Sequence, residues 1–336
     1  MMGTGTKLRI LVCPLDWGLG HAARCVPLIN RYLNAGHEVI VASYGQSGEL
    51  LKQEFPTLLH IEFPSFTIRY SASGNQIPAI LRTLPDILRY YRKEHRMIKA
   101  IVKVYEIDLV VSDNRFGLWG CGTHTMYITH QLMVKMPHGL KFLEYPVHLL
   151  HKHIINKYDR CAIPDSPDIR LSGDLANKYP LPRNAEFVGI HSRFQKEGEA
   201  VPCDILIIIS GPEPQRSMFE TEMVRRYKYS KADIVMVRGL PQNEDTSGQY
   251  GNIKVFNHMN GKDLAAYIRG TRRIICRSGY TTLMDLHVMG KLSCATLYPT
   301  PGQTEQEYLA AYCSEKKLSK TSTVDKPRKR GRLSRK

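Results

Sequence analysis

The chain has 336 residues, long enough for two domains, and 43% of them are hydrophobic, enough for buried cores. The formal net charge of +16 favours an acidic partner such as nucleic acid, an anionic membrane or a phosphorylated substrate. Eight cysteines without a Cys-x-x-Cys pair predict reduced, buried thiols, not a disulfide framework. The first residues resemble neither a signal peptide nor a spanning helix. We therefore expect a cytoplasmic protein that is soluble or peripheral on a membrane.

The first forty residues predict a βαβ unit. Leu8–Cys13 and Glu38–Ala42 are typical of buried strands, and helical periodicity lies between them. The intervening loop contains Gly18, Gly20 and His21, but it lacks Gly-x-Gly-x-x-Gly, and no acidic residue ends the second strand. A dinucleotide site is therefore weakly supported. His21 is a candidate catalytic residue, and the alternative is a solvent-facing residue at a helix start.

Two basic segments that also carry apolar residues follow. Residues 77–105 predict an amphipathic helix, broken at Pro85, which could lie on an anionic membrane or be an ordinary solvated surface helix. Residues 132–153 combine apolar and basic side chains, a pattern that suits a lipid-linked phosphate. Glu144, His148 and His151 have helical ligand spacing, but Pro146 interrupts it, so we expect no metal site.

Polar side chains follow two further predicted strands of the first domain. Residues 107–112 form a strand that ends in Asp113, Asn114 and Arg115, and residues 127–129 are followed by His130 and Gln131. The carboxyl ends of parallel strands are where α/β sheets bind ligands. We therefore predict that these polar residues lie at a substrate site.

A polar linker, residues 195–202, precedes a second βαβ series. Residues 204–210 are the clearest buried strand, and Gly211 and Arg216 follow it. A later strand ends before His258 and Met259. The chain thus predicts an α/β protein with doubly wound domains at residues 1–195 and 203–314, and a basic, disordered tail at residues 315–336.

Residues 277–306 predict a nucleotide-sugar pocket, although an ordinary capped βα turn is the alternative. A strand that ends in Arg277 leads into a Ser278-Gly279 turn and a helix start, where free N–H groups and the helix dipole attract anions. Hydroxyl groups at this start and an acidic residue one to two turns later suit a phosphate and a ribose. The next loop carries side chains suited to sugar hydroxyl groups. The residues concerned are Thr281, Thr282, Asp285, Gln303, Glu305 and Gln306.

The same segment carries a resemblance to a known enzyme family. Ser-Gly-x-x-Thr, an acidic residue, Gly-Lys and Pro-x-Pro-Gly-x-x-x-Gln are similar to the donor motif of family 28-type glycosyltransferases. The best-known member makes the lipid II of peptidoglycan, a cell-envelope reaction, by transferring N-acetylglucosamine from its UDP form. The resemblance implies the GT-B architecture, two facing Rossmann-like domains with the acceptor in the first and the donor in the second.

The resemblance also implies residue roles. It places Ser278 and Gly279 at the diphosphate, Asp285 at the ribose, and Glu305 with Gln306 at the sugar, where the family has Gln-Gln. It places Gly18, Gly20 and His21 in the first cleft loop, and His130 and Gln131 in an acceptor loop. Asp113, Asn114 and Arg115 are then expected on the acceptor side too, since they belong to the first domain. His258 and Met259 lie where the family reads the base. Prolines follow Gly211 where the family has more glycines, which leaves Arg216 as a charge partner.

We therefore expect an inverting hexosyltransferase that uses a nucleotide sugar, UDP-linked by the resemblance, and a glycan or lipid-linked acceptor. His21 is the expected base and His130 the reserve. No metal or other cofactor is expected, because helix N-termini and basic groups can stabilise a departing diphosphate. One alternative is a GT-B sugar-nucleotide epimerase with cleft carboxylates. The other is a non-enzymatic nucleic-acid-binding protein, but the basic tail lacks aromatic residues and no nucleic-acid motif is present.

Overall fold

The computed structural model describes residues 6–65, 77–241 and 248–322. In this part of the chain the strands form two seven-stranded sheets. The first has the order β3-β2-β1-β4-β5-β6-β7, with all neighbours parallel. Its strands are β1 (Arg9–Pro14), β2 (Glu38–Ser43), β3 (Leu59–Glu62), β4 (Leu109–Asp113), β5 (His124–Ile128), β6 (Arg160–Ile163) and β7 (Ala185–Phe187). The helices of this domain are α1 (Leu19–Asn34), α2 (Gly45–Glu54), α3 (Ile77–Tyr105), α4 (Glu144–Ile155) and α5 (Asp174–Asn177), with a 3₁₀ segment at His138–Leu143.

The second sheet has the order β10-β11-β9-β8-β12-β13-β14, and only the β10–β11 pair is antiparallel. Its strands are β8 (Cys203–Ile208), β9 (Ile234–Val237), β10 (Gly248–Tyr250), β11 (Ile253–Phe256), β12 (Thr271–Cys276), β13 (Ala295–Leu297) and β14 (Lys320–Thr321). The accompanying helices are α6 (Gln215–Tyr227), α7 (Gly261–Gly270), α8 (Tyr280–Val288) and α9 (Thr304–Glu315), with a 3₁₀ turn at Leu292–Cys294.

Each sheet is buried on both faces because helices cover it on both sides. In β1, Leu11 and Cys13 belong to the core on one face, whereas Ile10 and Val12 belong to the core on the other. Successive side chains of a strand point to opposite faces, so a continuous apolar run is what a doubly covered parallel strand requires. The predicted architecture of two doubly wound α/β domains is therefore confirmed.

The first domain differs from the prediction in two helices. Helix α3 has the predicted ends but runs without a break through Pro85. Its second half is anchored in the core by the buried Ile98 and Val102. Helix α2 was not predicted. Its apolar stripe consists of little more than Leu50 and Leu51, so its periodicity is weak.

The predicted boundary at residue 314 and the predicted tail need correction. Helix α9 continues to Glu315, and Lys320–Thr321 form edge strand β14 beside β13. Residues 315–322 therefore belong to the second domain, and the remainder of the predicted tail lies outside the described residues. Helix α9 also contacts the first domain, since Tyr312 donates a hydrogen bond to the Arg170 carbonyl. All eight cysteines lie in the described part, and their thiols are free.

Candidate functional site

The carboxyl ends of the two sheets face each other across a cleft of about 430 Å³. Loops after β1, β4 and β5 line one wall, and loops after β8, β11 and β12 together with the start of α9 line the other. Most residues predicted from the sequence lie along these walls. They are Gly18, Gly20, His21, Asn114, His130, Gln131, Gly211, His258, Met259, Gly279, Thr281, Thr282, Asp285, Gln303, Glu305 and Gln306.

His21 lies in the first turn of α1 and pairs with Asp113 at the end of β4. Its Nδ1 is 2.9 Å from Asp113 Oδ1, and its side chain is 19% exposed. Asp113 was predicted on the acceptor side, but it is fully buried behind His21 and does not reach the cavity. When Nδ1–H donates to the carboxylate, Nε2 keeps its lone pair, and the pair has the geometry of an oriented base.

Arg24 is the main site residue that the sequence analysis missed. It is buried one helical turn after His21, and its Nε and Nη2 donate to the two oxygens of Asp113. Burial alone would raise the pKa of Asp113, but Arg24 and then His21 outweigh it and hold that pKa well below its usual value. The i, i+3 spacing of a basic residue after His21 was the signal in the sequence.

Arg24 also lies 2.7 Å from His21 Nδ1. A guanidinium only donates and a carboxylate only accepts, so Nδ1 can bond one of the two. Because Arg24 already bonds Asp113 through two nitrogens, we assign the Nδ1 hydrogen to His21 and its bond to Asp113. Burial, followed by the charge of Arg24, lowers the pKa of His21, and Asp113 opposes this shift only in part.

His130 joins the two walls of the cleft. It is buried after β5, and its ring stacks on Tyr280 of α8 with centroids 4.2 Å apart. Its Nε2 is 2.9 Å from Glu305 Oε1, and its Nδ1 is 3.1 Å from Arg24 Nη1. Glu305 faces the cleft with 31% of its side chain exposed, and although burial would raise its pKa, His130 keeps that pKa low. The predicted reserve base is therefore bonded on both ring nitrogens.

The start of α8 approaches the first loop closely. The Thr281 hydroxyl donates to the Gly20 carbonyl at 3.0 Å, and a Cβ on Gly20 would lie only 3.4 Å from that hydroxyl. Gly18 has a φ of 132°, a conformation that side chains other than glycine rarely adopt. The two glycines thus let His21 lie opposite the free N–H groups of the α8 N-terminus.

Asp285 lies one turn into α8 on the cleft wall. It is only 8% exposed, and its Oδ1 accepts a hydrogen bond from the Ser192 hydroxyl at 2.6 Å. Burial raises the pKa of this carboxyl to about 6, although Arg193 opposes the shift. The cavity therefore contains a poorly solvated carboxylate that would gain from a hydroxyl-donating ligand.

The loop before α9 is held by its own side chains. Gln306 Oε1 accepts from the backbone N–H and hydroxyl of Thr300, and Gln306 Nε2 donates to Gln303 Oε1. Ser278 is buried and donates to the Gln306 carbonyl, so it positions the loop and does not line the cavity. Its predicted contact with a ligand is not supported by the structure.

Two predicted arginines have structural partners in place of a ligand. Arg115 is buried among Glu94, the Pro14 carbonyl and the Phe63 carbonyl, away from the cavity. Arg216 is paired with Glu213, just before α6, and with Glu220, one turn later in α6. Neither side chain lines the cavity, because sequence position at a strand end does not say whether a side chain turns outward or back into the core.

Arg277 lies at the end of β12, beneath the Ser-Gly turn. It is buried, donates to backbone carbonyl oxygens of Gln215, Tyr298 and Pro299, and has no ion-pair partner among the described residues. Burial lowers the pKa of its guanidinium to about 10, which still leaves it charged at neutral pH. It supplies a positive charge near the turn without lining the cavity.

The possible metal ligands have other partners. His148 Nδ1 bonds the Leu132 carbonyl, and His151 Nε2 is 3.3 Å from the Tyr127 hydroxyl. Glu144 is paired with Lys178. Across residues 6–65, 77–241 and 248–322, no group of three or more His, Cys, Asp or Glu side chains is placed to hold a metal ion.

Known proteins resemble this chain over most of its length. No family model matches it. An uncharacterized glycosyltransferase of Methanosarcina acetivorans is 22% identical over 96% of this chain and 86% of that protein, and another from the same species is 27% identical over 90% and 79%. One from Methanosarcina mazei is 22% identical over 96% and 86%.

Solved structures share the fold at low sequence identity. The spinosyn rhamnosyltransferase SpnG, in complex with thymidine diphosphate, has a TM-score of 0.60 at 14% identity, covering 94% of this chain and 86% of that one. MurG of Acinetobacter baumannii has a TM-score of 0.52 at 13% identity, covering 95% and 86%. These comparisons confirm the resemblance inferred from the sequence: the chain has the GT-B fold and is related to glycosyltransferases.

Proposed function

We propose that the protein is an inverting glycosyltransferase that moves a sugar from a pyrimidine nucleotide sugar, UDP-linked by the sequence motif, to an acceptor hydroxyl group. The observation that carries the proposal is the position of the His21–Asp113 pair directly across the cleft from the α8 N-terminus. An oriented base would thus lie on the same cleft as the proposed anion site, since Gly20, the residue before His21, is in direct contact with Thr281 of α8. The thymidine diphosphate bound to SpnG supports a nucleoside diphosphate in this kind of cleft.

The second domain would bind the donor. Backbone N–H groups at the start of α8, with Thr281 and Thr282, would hold the diphosphate, and the buried charge of Arg277 would add to their attraction. Asp285 would accept a hydrogen bond from the ribose. Gln303, Glu305 and Gln306 would contact the sugar, while His258 and Met259 border the cleft where the base would lie.

The first domain would bind the acceptor and carry the base. The oxygen of the acceptor hydroxyl group bonds to the anomeric carbon of the sugar, while His21 Nε2 takes the proton of that hydroxyl group. The bond from the anomeric carbon to the diphosphate breaks at the same time. Direct displacement inverts the configuration at the anomeric carbon. The leaving diphosphate keeps the electron pair of the broken bond and is stabilised by the α8 dipole and N–H groups, a role for which we propose no metal ion.

We further propose that the acceptor is a glycan or a lipid-linked molecule met at a membrane surface. Phe142 is 72% and Leu150 62% exposed, and Tyr145 and Leu149 are also exposed beside them in the 3₁₀ segment and α4. Lys141 and His153 are exposed in the same segment, and α3 presents further exposed basic residues, Arg89, Arg92, Lys93, Arg96, Lys99 and Lys103. Apolar groups among basic ones suit an anionic bilayer surface.

Calorimetry with UDP and TDP tests the donor site. Asp285→Ala should weaken nucleotide binding by roughly 1–3 kcal/mol, the cost of a lost charge-assisted hydrogen bond. Asp233→Ala, an exposed aspartate of the same domain, is the matched control and should bind like the wild type. Equal affinities of the wild type and Asp285→Ala would remove the ribose assignment. Conversion of a nucleotide sugar to its epimer without an acceptor would replace the transferase proposal with the epimerase alternative.

A further inference from the structure

Five side chains form one hydrogen-bonded chain across the domain interface. His21 and Arg24 both contact Asp113, Arg24 Nη1 reaches His130 Nδ1, and His130 Nε2 reaches Glu305 of α9. Arg24, Asp113 and His130 are almost completely buried. Glu305, which ends this chain in the second domain, is thus connected to His21, the proposed base in the first domain.

The donor and acceptor roles along the chain follow from Arg24. Its guanidinium can only donate, so His130 Nδ1 must carry a lone pair. The ring hydrogen of His130 is then on Nε2, from which it is donated to Glu305 Oε1 at 2.9 Å. Both nitrogens of His130 are occupied, so His130 connects Arg24 to Glu305 and is not itself a base.

The formal charges show what Glu305 contributes. Arg24 offsets Asp113 through its paired hydrogen bonds, which would leave a protonated His21 beside a neutral pair. Glu305 adds a second carboxylate, so the chain carries a net charge of −1 with neutral histidines and zero once His21 takes a proton. The other polar groups in contact are neutral, because burial raises the pKa of both the Cys25 thiol, which lies beside Asp113, and the Tyr280 phenol, which stacks on His130.

We propose that Glu305 is a positioning residue for the base His21, acting from the second domain through His130 and Arg24. The proposal rests on the proposed function only in taking His21 as the base. Its consequence is that the base is complete only when α9 packs against the first domain. Glu305 Oε1 is used by His130, so Oε2 is the oxygen left for a donor sugar.

Titration of the His21 imidazole by ¹⁵N NMR tests the proposal in the ligand-free protein, with His21→Gln identifying its resonance. Glu305→Gln keeps the shape and the hydrogen bond to His130 but removes the charge. Because the imidazolium loses a stabilising carboxylate, the pKa of His21 should fall by on the order of half a unit or more. Glu307→Gln, the same substitution two residues later at an exposed position, should leave it unchanged. An unmoved His21 titration in Glu305→Gln overturns the proposal.

A second variant tests the connection through Arg24. Arg24→Lys keeps the charge but replaces three donor nitrogens, two on Asp113 and one on His130, by a single nitrogen, so Glu305→Gln should shift the His21 titration less in this background. Equal shifts in both backgrounds would overturn the role of Arg24. Exposed Arg31→Lys on the same helix is the control. Where turnover is measured, Glu305→Gln should move the acid limb of kcat/KM to lower pH. Absence of any turnover would count against the proposed function alone. The NMR titration still tests whether Glu305 acts on His21.

Discussion

At the residue scale, His21 is the proposed base. Burial and Arg24 lower its pKa, and a base acts in its neutral form. Activity should therefore rise with pH along an acid limb that lies below about pH 6.5, the ordinary value for histidine. His21→Ala should lower turnover by roughly 10²–10⁴-fold with donor affinity little changed.

The control for this prediction is His124→Ala, an exposed histidine at the amino end of β5, which should keep full turnover. Steady-state kinetics across pH provide the measurement. If His21→Ala loses a little stability but keeps its turnover, His21 merely begins helix α1 and the base is elsewhere.

We predict that the Asp285 carboxylate lowers the stability of the ligand-free protein while it strengthens nucleotide binding. Its pKa is raised to about 6 in the folded protein, so the folded state favours the protonated form, and stability is lost as pH rises through that value. The amide in Asp285→Asn does not ionise, so the variant does not lose this stability as the pH rises. A shift of about two units corresponds to about 2–3 kcal/mol, so the ligand-free variant should exceed the wild type by up to that amount at pH 7 and by little at pH 4.

Urea unfolding of both proteins at pH 4 and pH 7 measures the difference. The same variant should bind UDP more weakly, because the amide replaces a charged acceptor. If the difference in unfolding free energy between Asp285→Asn and the wild type does not widen from pH 4 to pH 7, burial does not raise the pKa of the Asp285 carboxyl in the ligand-free protein.

At the element scale, the 3₁₀ segment and α4 expose apolar side chains that are not part of the buried core. None of the helices in the described ranges is long and apolar enough to cross a bilayer. Phe142→Ser with Leu150→Ser should reduce sedimentation with anionic vesicles, since buried apolar area drives such binding. Stability should change little because both side chains are exposed.

The matched control is Tyr229→Ser, which removes an 81% exposed aromatic from the second domain. It should sediment like the wild type. Binding of the wild type should also weaken as salt rises, because exposed basic charges are screened. Equal sedimentation of the double variant and the wild type would remove this surface from the proposed membrane contact.

At the scale of the whole molecule, the residues proposed for the donor site all lie within the described ranges, whereas part of the net charge lies outside them. Residues 323–336 contain seven Lys and Arg and one Asp, which is +6 of the net +16. Truncation after Ser322 should leave UDP affinity within about twofold of the wild type, because it removes none of the proposed donor-site residues and salt limits the long-range effect of net charge. It should lower binding to anionic vesicles at low salt. Calorimetry and sedimentation of the truncated protein measure both, and a loss of UDP binding would show that the tail reaches the donor site.

The sequence by itself determined the elements and the local parts of the site. Apolar runs such as Leu8–Cys13 predict doubly covered strands because side-chain periodicity is a property of neighbouring residues. The Ser-Gly turn at the start of α8 and His21 after the first strand were predicted for the same reason, since turn chemistry and helix starts involve only a few adjacent residues. Helix α2 was not predicted because so short a helix has little periodicity in its apolar residues.

Only the tertiary structure decided which side chains meet. Arg24 and Asp113 are 89 residues apart, and His130 and Glu305 are 175 residues apart, so no local pattern could pair them. Asp113, Asn114 and Arg115 are adjacent, yet one supports His21, one lines the cleft and one is buried beneath it. The reason is physical: periodicity records the face of a strand, whereas the partner of a buried charge depends on which distant element packs against it and whether that charge can be compensated there.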